Sequence, residues 1–351
     1  NNNNVHNYTK YPAKNGRCFS ISLMGSKHKQ YLSTLFTARK KRHDKLFSGL
    51  AVGAAVYTLL MVALVGFSVT KGSVDIFSKE GINFLTKSDW NAVEGRESYG
   101  ALPYIIGTLL SAGIAMAIGV PISLAIAIFI SEIAPPKIGT ALSFISELLA
   151  AVPSIIYGLW ALFVFRFWTR DLIEKPLYDA FHGYLPFFAK TPFGLDIFTA
   201  GIVLAIMIIP IISSICREVM RVVPYSQREA AYSLGATRWE TVRTAVFPYV
   251  KSGIIGASML GLGRAIGETI LVTMVIGNVI GPGAIPTSLF SQGQTLASLV
   301  ANEFNEASSD LQLSALIALG AILLVLTMAV NIVARLLVKK KAKIKSGAVS
   351  Q

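Results

Sequence analysis

The sequence predicts an all-α polytopic membrane protein with six transmembrane helices. Three observations predict it. The 351 residues are 53% hydrophobic and only 15% charged, where soluble domains carry roughly a quarter, and the mean hydropathy is +0.57. Six apolar stretches are each long enough to cross a bilayer, which takes about 20 helical residues. The Lys and Arg residues gather on alternate connections between those stretches.

Residues 1–45 form a polar, Asn-rich, basic tail that lacks the apolar core of a signal peptide; Met24 within it is a candidate start residue. The membrane domain is expected over 46–340, followed by a basic tail at 341–351. Its first stretch, 46–70, is uncharged, as is the second, 98–131, where Pro121 predicts a kink. The third, 138–165, carries only Glu147. The fourth, 197–216, is uncharged, the fifth, 252–276, holds Arg264 and Glu268, and the sixth, 311–334, is uncharged again. With the N-terminus in the cytoplasm, the inner segments carry 23 Lys and Arg residues and the outer loops 8. That asymmetry places both termini inside. It also accounts for the net charge of +13 as a signal of topology and lipid contact rather than of nucleic-acid binding.

Several chemistries are set aside. Cys18 and Cys216 lie far apart, one in the polar tail and one in an apolar run, which argues against a structural disulfide. His6, His28, His43 and His182 show no metal-ligand spacing. There is no GxxxxGK[ST] loop, so the chain is not expected to hydrolyse ATP itself, and GxSxG is absent. No cofactor is expected in this chain. The outer loop at 166–196 contains "FHGYLPFFAKTPFG", aromatic and Pro-rich, which reads as an interfacial helix, a partner-facing element, or an ordered loop in the aromatic belt.

The longest inner connection, 217–250, has a helical pattern but is too polar to span. Pro224 ends the fourth span, and Glu229, Ala230 and Ala231 are expected to open a short helix. Gly235 follows as a left-handed stop. Trp239, Val242 and Val246 resume at helical spacing until Pro248 is expected to break the second helix. One reading is an amphipathic helix lying at the membrane surface. The other rests on a resemblance: the segment is similar to the EAA loop of ABC importer permeases, EAA-x3-G-x9-I-x-L-P, with Glu229, Ala230, Ala231, Gly235 and Pro248 in place and Ala245 and Phe247 where the family has Ile and Leu. The resemblance extends over roughly 31–340. "FLTKSDWNAV", "YGALPYIIGTLL", "SELLAAVPSIIYGLW" and "GLGRAIGETILVTMVIGN" look like the permeases of the phosphate ABC importer, and the last resembles the PstC branch more than the PstA branch.

This resemblance implies a type I importer permease fold with a cytoplasmic coupling helix in which Glu229, Ala230, Ala231 and Gly235 meet the ATPase. It implies a PstA-like second permease, a PstB-like ATPase dimer holding ATP and Mg, and an external PstS-like phosphate-binding protein. A homodimer of permeases remains open, as does a sulfate or molybdate substrate. A channel or a carrier not driven by ATP is the reading from another class, and the EAA loop discriminates against it.

Two full charges in the fifth span need a reason, since each costs about 3 kcal/mol at mid-bilayer. Arg264 and Glu268 are four apart and are expected on one side of the helix, able to neutralise each other. The packing reading is a self-neutralising pair. The transport reading makes Arg264, Glu268, Thr269 and Glu147 the substrate path, with the guanidinium fork taking two oxygens of an oxyanion. In the same span Gly253, Ala257, Gly261 and Ala265 form one strip of small residues, and Gly263 and Gly267 an adjacent one.

Overall fold

The computed structural model describes residues 26–93 and 95–347, and the side chains of 47–93 and 95–336. The expectations for Met24, Cys18 and His6 lie outside the described residues. The chain divides into two compact units, Asn1–Val65 and Gly66–Gln351. Helix α1, Ser26–Gly72, contains the first apolar span, Phe47–Gly72.

In the second unit α2 (Val74–Glu80) and α3 (Asn83–Thr86) precede a hairpin of β1 (Trp90–Asn91) and β2 (Ser98–Tyr99), paired antiparallel. This hairpin departs from the all-α expectation. It is held by aromatic edge-to-face contacts of Trp90 with Tyr99 and Tyr104. Helix α4, Leu102–Ile128, contains Pro121 without being divided by it and continues through a π turn, Phe129–Ile133. After the Pro135–Pro136 turn comes α5, Pro136–Ala151. Then follow α6 (Ser154–Trp160), α7 (Arg166–Trp168) and α8 (Lys175–Phe181), joined by π turns into one rod, Ser154–Phe181. This rod is bent 89° from α5. The 166–196 loop is therefore helical in its first half. Its second half packs inward: the Phe187 carbonyl accepts from Leu289 N (2.8 Å) and Ser288 Oγ (2.6 Å).

The centre of the unit is α9, Ile197–Arg221, against which α4, α5, α12 and α13 pack. The connection beyond it folds as α10 (Tyr225–Ser233) and α11 (Arg238–Thr241), which runs through a π turn into α12 (Phe247–Gly267). Then come α13 (Ile270–Val275), α14 (Leu296–Glu303) and α15 (Asp310–Gly347), the last running through most of the expected C-terminal tail. Among the described residues five helices are long and apolar enough to span, and the bent pair is a candidate for a sixth crossing. The first, second, fourth and sixth expected stretches match such helices, the third is the bent pair, and the helix at the fifth starts earlier, at Arg238, and stops at Gly267.

In lipid there is little hydrophobic drive between helices, so close approach through small residues takes over. A Cβ on Gly201 would lie 2.6 Å from Ile114, and one on Gly107 2.3 Å from the Gln294 carbonyl. The strip of Gly253, Ala257, Gly261 and Ala265 has this role. Added Cβ atoms would sit 2.3 Å from Val219 at Gly253 and 2.4 Å from Ile212 at Gly261, and both alanines are buried.

Just ahead of the α9 span, buried Asp196 caps the helix, its Oδ1 accepting from Thr199 N at 2.8 Å. Thr199 Oγ1 donates to buried Glu174 at 2.7 Å. Burial, and then the neighbouring Glu174 charge, push the Asp196 carboxyl up to about 8. The folded chain thus holds a proton that an unfolded Asp releases near pH 4. Its contribution to stability is complete below that and is lost as pH rises to about 8. Thermal unfolding in detergent should show a midpoint that falls between about pH 4 and pH 8, and Asp196→Asn should flatten the slope. An unchanged slope in that variant would remove the assignment.

Candidate functional site

Two helix breaks interrupt the bundle, and the helices that resume after them pack together. The first separates α5 from α6 at Val152–Pro153, because Pro153 has no N–H to continue the ladder and the residue before it turns extended (ψ 127°). The second separates α12 from α13 at Glu268–Thr269. The two resumed helices pack together: the Cβ position of Gly158 lies 2.8 Å from Met274 Sδ and 3.2 Å from Leu271 Cα. Backbone freed by such breaks needs partners at membrane depth. Tyr157 Oη donates to the Leu149 carbonyl (3.0 Å), and Thr269 Oγ1 to the Gly267 carbonyl (3.3 Å). Irregular backbone at that depth is tolerated where it is buried in protein or lines a water-filled cavity.

The second break corrects the expected Arg264–Glu268 pair. Helix α12 stops at Gly267, and Glu268 is extended (φ −71°, ψ 125°), so the four-residue spacing no longer puts both side chains on one face. Among the described residues no ion pair joins them, and Arg264 is exposed. It lines a groove of about 1180 Å³ between α12 and α15, with Gly256, Leu260, Gly263, Asn331 and Arg335. Added Cβ atoms at Gly256, Gly263 and Gly267 would meet nothing within 4 Å. The two glycine strips thus differ: one is packed on α9 and the other is open beside Arg264. Thr269 and Glu268 are half-buried at the break.

Glu147 lies elsewhere. Its Oε1 accepts from Arg217 Nη2 of α9 at 2.8 Å, and Arg217, 5% exposed, also donates to Glu218 at 3.1 Å. The structure therefore joins Glu147 to Arg217 and not to Arg264. Deep burial of the Arg217 cation explains why it draws two carboxylates.

The connection between α9 and α12 projects from the bundle. Helix α10 starts at Tyr225 with Pro224 as its cap, so Glu229, Ala230 and Ala231 lie in its middle rather than opening it. It buries no side chain; Glu229 and Ala230 are exposed, and Leu234 is 90% exposed. Gly235 (φ +81°) ends it in a Schellman turn: Gly235 N bonds the Tyr232 carbonyl at 2.9 Å and Ala236 N the Ala231 carbonyl at 3.2 Å. Thr237 and Glu240 form a capping box that starts α11. Val242 and Val246 are buried while Trp239 is 60% exposed. Contrary to expectation Pro248 breaks nothing. It sits at the start of α12, where the π turn at Val242–Val246 has already altered the bonding register.

The sequence reading missed Arg228 and Glu132. Arg228 Nη2 and Nε donate to Glu132 Oε1 (2.8 Å) and Oε2 (3.1 Å), tying α10 to the π turn that ends α4. Their separation of 96 residues left no local signal.

A bundle of apolar helices with two broken helices whose resumed halves pack together, one open glycine strip carrying an arginine, and a polar helix pair projecting from one end defines a membrane permease. The chain belongs to the family of binding-protein-dependent transport system inner membrane components, which residues 119–343 match. It is 48% identical to the phosphate transport system permease protein PstC of Pasteurella multocida, over 82% of this chain and 89% of that one. It is 45% identical to the PstC of Haemophilus influenzae, over 86% and 95% of the two chains. A crystal structure of a bacterial alginate ABC transporter, in complex with a periplasmic protein bound to an alginate pentasaccharide, shares the fold. Its TM-score is 0.54 at 14% identity, over 84% of this chain and 94% of that one.

Proposed function

We propose that this chain is the PstC-like permease subunit of an ATP-driven importer that carries inorganic phosphate across the cytoplasmic membrane. The observation that carries the reading is the open face of α12, where Arg264 stands exposed one turn before the Glu268–Thr269 break. A guanidinium there offers a planar fork to two phosphate oxygens. Glycine backbone beside it leaves room for a small ion. The relatives, named as phosphate permeases, support the choice of oxyanion.

The exposed α10–Gly235–α11 segment, with Glu229, Ala230 and Ala231, is the surface for a PstB-like ATPase dimer. That subunit supplies ATP and Mg, since this sequence carries no GxxxxGK[ST] loop to hold them. A PstA-like permease completes the pathway, and a PstS-like protein delivers phosphate from outside. Both termini are cytoplasmic, from the 23-to-8 distribution of Lys and Arg.

The test is reconstitution of the four subunits in proteoliposomes. Labelled phosphate should move towards the side where MgATP is supplied and where a cysteine at Arg238 is labelled, with a cysteine at Asp89 labelled from the other side. Sulfate carried in place of phosphate would overturn the substrate, and the same sidedness at both cysteines would overturn the topology.

A further inference from the structure

Helix α10 buries none of its own side chains. Its hold on the bundle runs through Arg228, whose side chain, 13% exposed, engages three residues on two elements. Nη1 donates to the Val223 carbonyl (2.6 Å) and Nη2 to the Met220 carbonyl (3.0 Å), which also takes the Val223 N–H, so both bonds fasten the turn at the end of α9. The same fork meets Glu132, 8% exposed, through two bonds. Beside it Arg238 of α11 donates to the Ile133 carbonyl (3.2 Å). The α4–α5 turn is thus gripped from both sides of Gly235. From that turn α5 leads straight to the Val152–Pro153 break, and the helix beyond the break packs on α13, next to Thr269.

We propose that Arg228 and Glu132 are the positioning pair that transmits displacement of α10 to the α4–α5 hairpin, and through α5 to the paired helix breaks beside Arg264. Neither residue touches the substrate. A shielded bidentate pair suits the task, because it resists both bending and sliding where an exposed single contact would yield to water. Lysine at 228 keeps the charge and loses the fork, so it cannot hold the Glu132 carboxylate and both carbonyls in fixed geometry.

The inference rests on the reading that α10 meets an ATPase, and the experiment keeps the two apart. The full complex carrying Arg228→Gln, Arg228→Lys or Glu132→Gln is purified, ATPase association is scored, and phosphate uptake per ATP hydrolysed is measured in proteoliposomes. All three variants should keep the ATPase and lose at least about tenfold in uptake per ATP, with little change in the KM for phosphate. Glu132→Asp should recover part of the loss, and Arg228→Gln with Glu132→Gln should be no worse than either alone. An unchanged ratio in an assembled Arg228→Gln complex overturns the proposal. So does failure of every variant to assemble, which would make the pair a folding element. Loss of the docking reading shows separately, as an ATPase that still binds when exposed Leu234 is changed to Asp.

Discussion

Arg264→Gln should lower phosphate uptake by at least about 100-fold while the complex still assembles. Hydrogen bonds to a charged group contribute about 1.5–3 kcal/mol each, and the fork can make two, so removing the charge costs about 3 kcal/mol or more. At about 1.4 kcal/mol per decade that is two orders of magnitude. Assembly should survive because α12 packs on α9 through Gly253 and Gly261, not through the open strip that bears Arg264. Arg264 itself lines the groove between α12 and α15. Glu268→Gln should also impair uptake. With Glu268 outside the helical register the two charges stand apart, which leaves the guanidinium for an anion and leaves Glu268 to compete for it on release. Measuring labelled phosphate uptake and basal hydrolysis on the same preparation decides the matter. Wild-type uptake in Arg264→Gln would return the residue to a packing role.

The spans were legible because bilayer thickness imposes length and apolarity on each of them, and the Schellman turn at Gly235 because only glycine takes that backbone without cost. The Pro153 break had a visible cause in the missing N–H. The Glu268–Thr269 break had none: the surrounding residues keep an apolar helical pattern, and the break is supported by packing of α13 on α6, a contact between stretches about a hundred residues apart. An i, i+4 argument assumes an unbroken helix, and so it paired Arg264 with the wrong state of Glu268. The Glu147–Arg217 pair is hidden in the sequence for a related reason: Arg217 reads as a loop charge, whereas α9 runs on to Arg221 and buries it. Pro248 does not break the helix because the π turn at Val242–Val246 shifts the bonding register just ahead of it, so the run Arg238–Gly267 continues past the missing N–H.

Gly235→Val should uncouple hydrolysis from transport, reducing uptake per ATP by about tenfold or more. At φ +81° the position is left-handed. A β-branched residue there is strained by about 1–3 kcal/mol, enough at about 1.4 kcal/mol per decade to shift the turn population tenfold. Steric clash is not the cause, since a Cβ at Gly235 would meet nothing within 4 Å. The cost falls on the backbone, and the chain relieves it by opening the two Schellman bonds from Gly235 and Ala236. That swings α10 relative to α11 and moves Leu234 and Trp239, the two large exposed side chains on either side of the turn. Arg228 would still hold one end of α10 and Arg238 the start of α11, so the segment stays attached while its presented surface changes. Asn tolerates the left-handed region far better than Val, so Gly235→Asn should retain most of the coupling. A graded loss, Val much worse than Asn, in complexes with equal ATPase content identifies the turn geometry as the cause. Equal coupling in Gly235→Val and the wild type would show that the angle between α10 and α11 does not set the transmission.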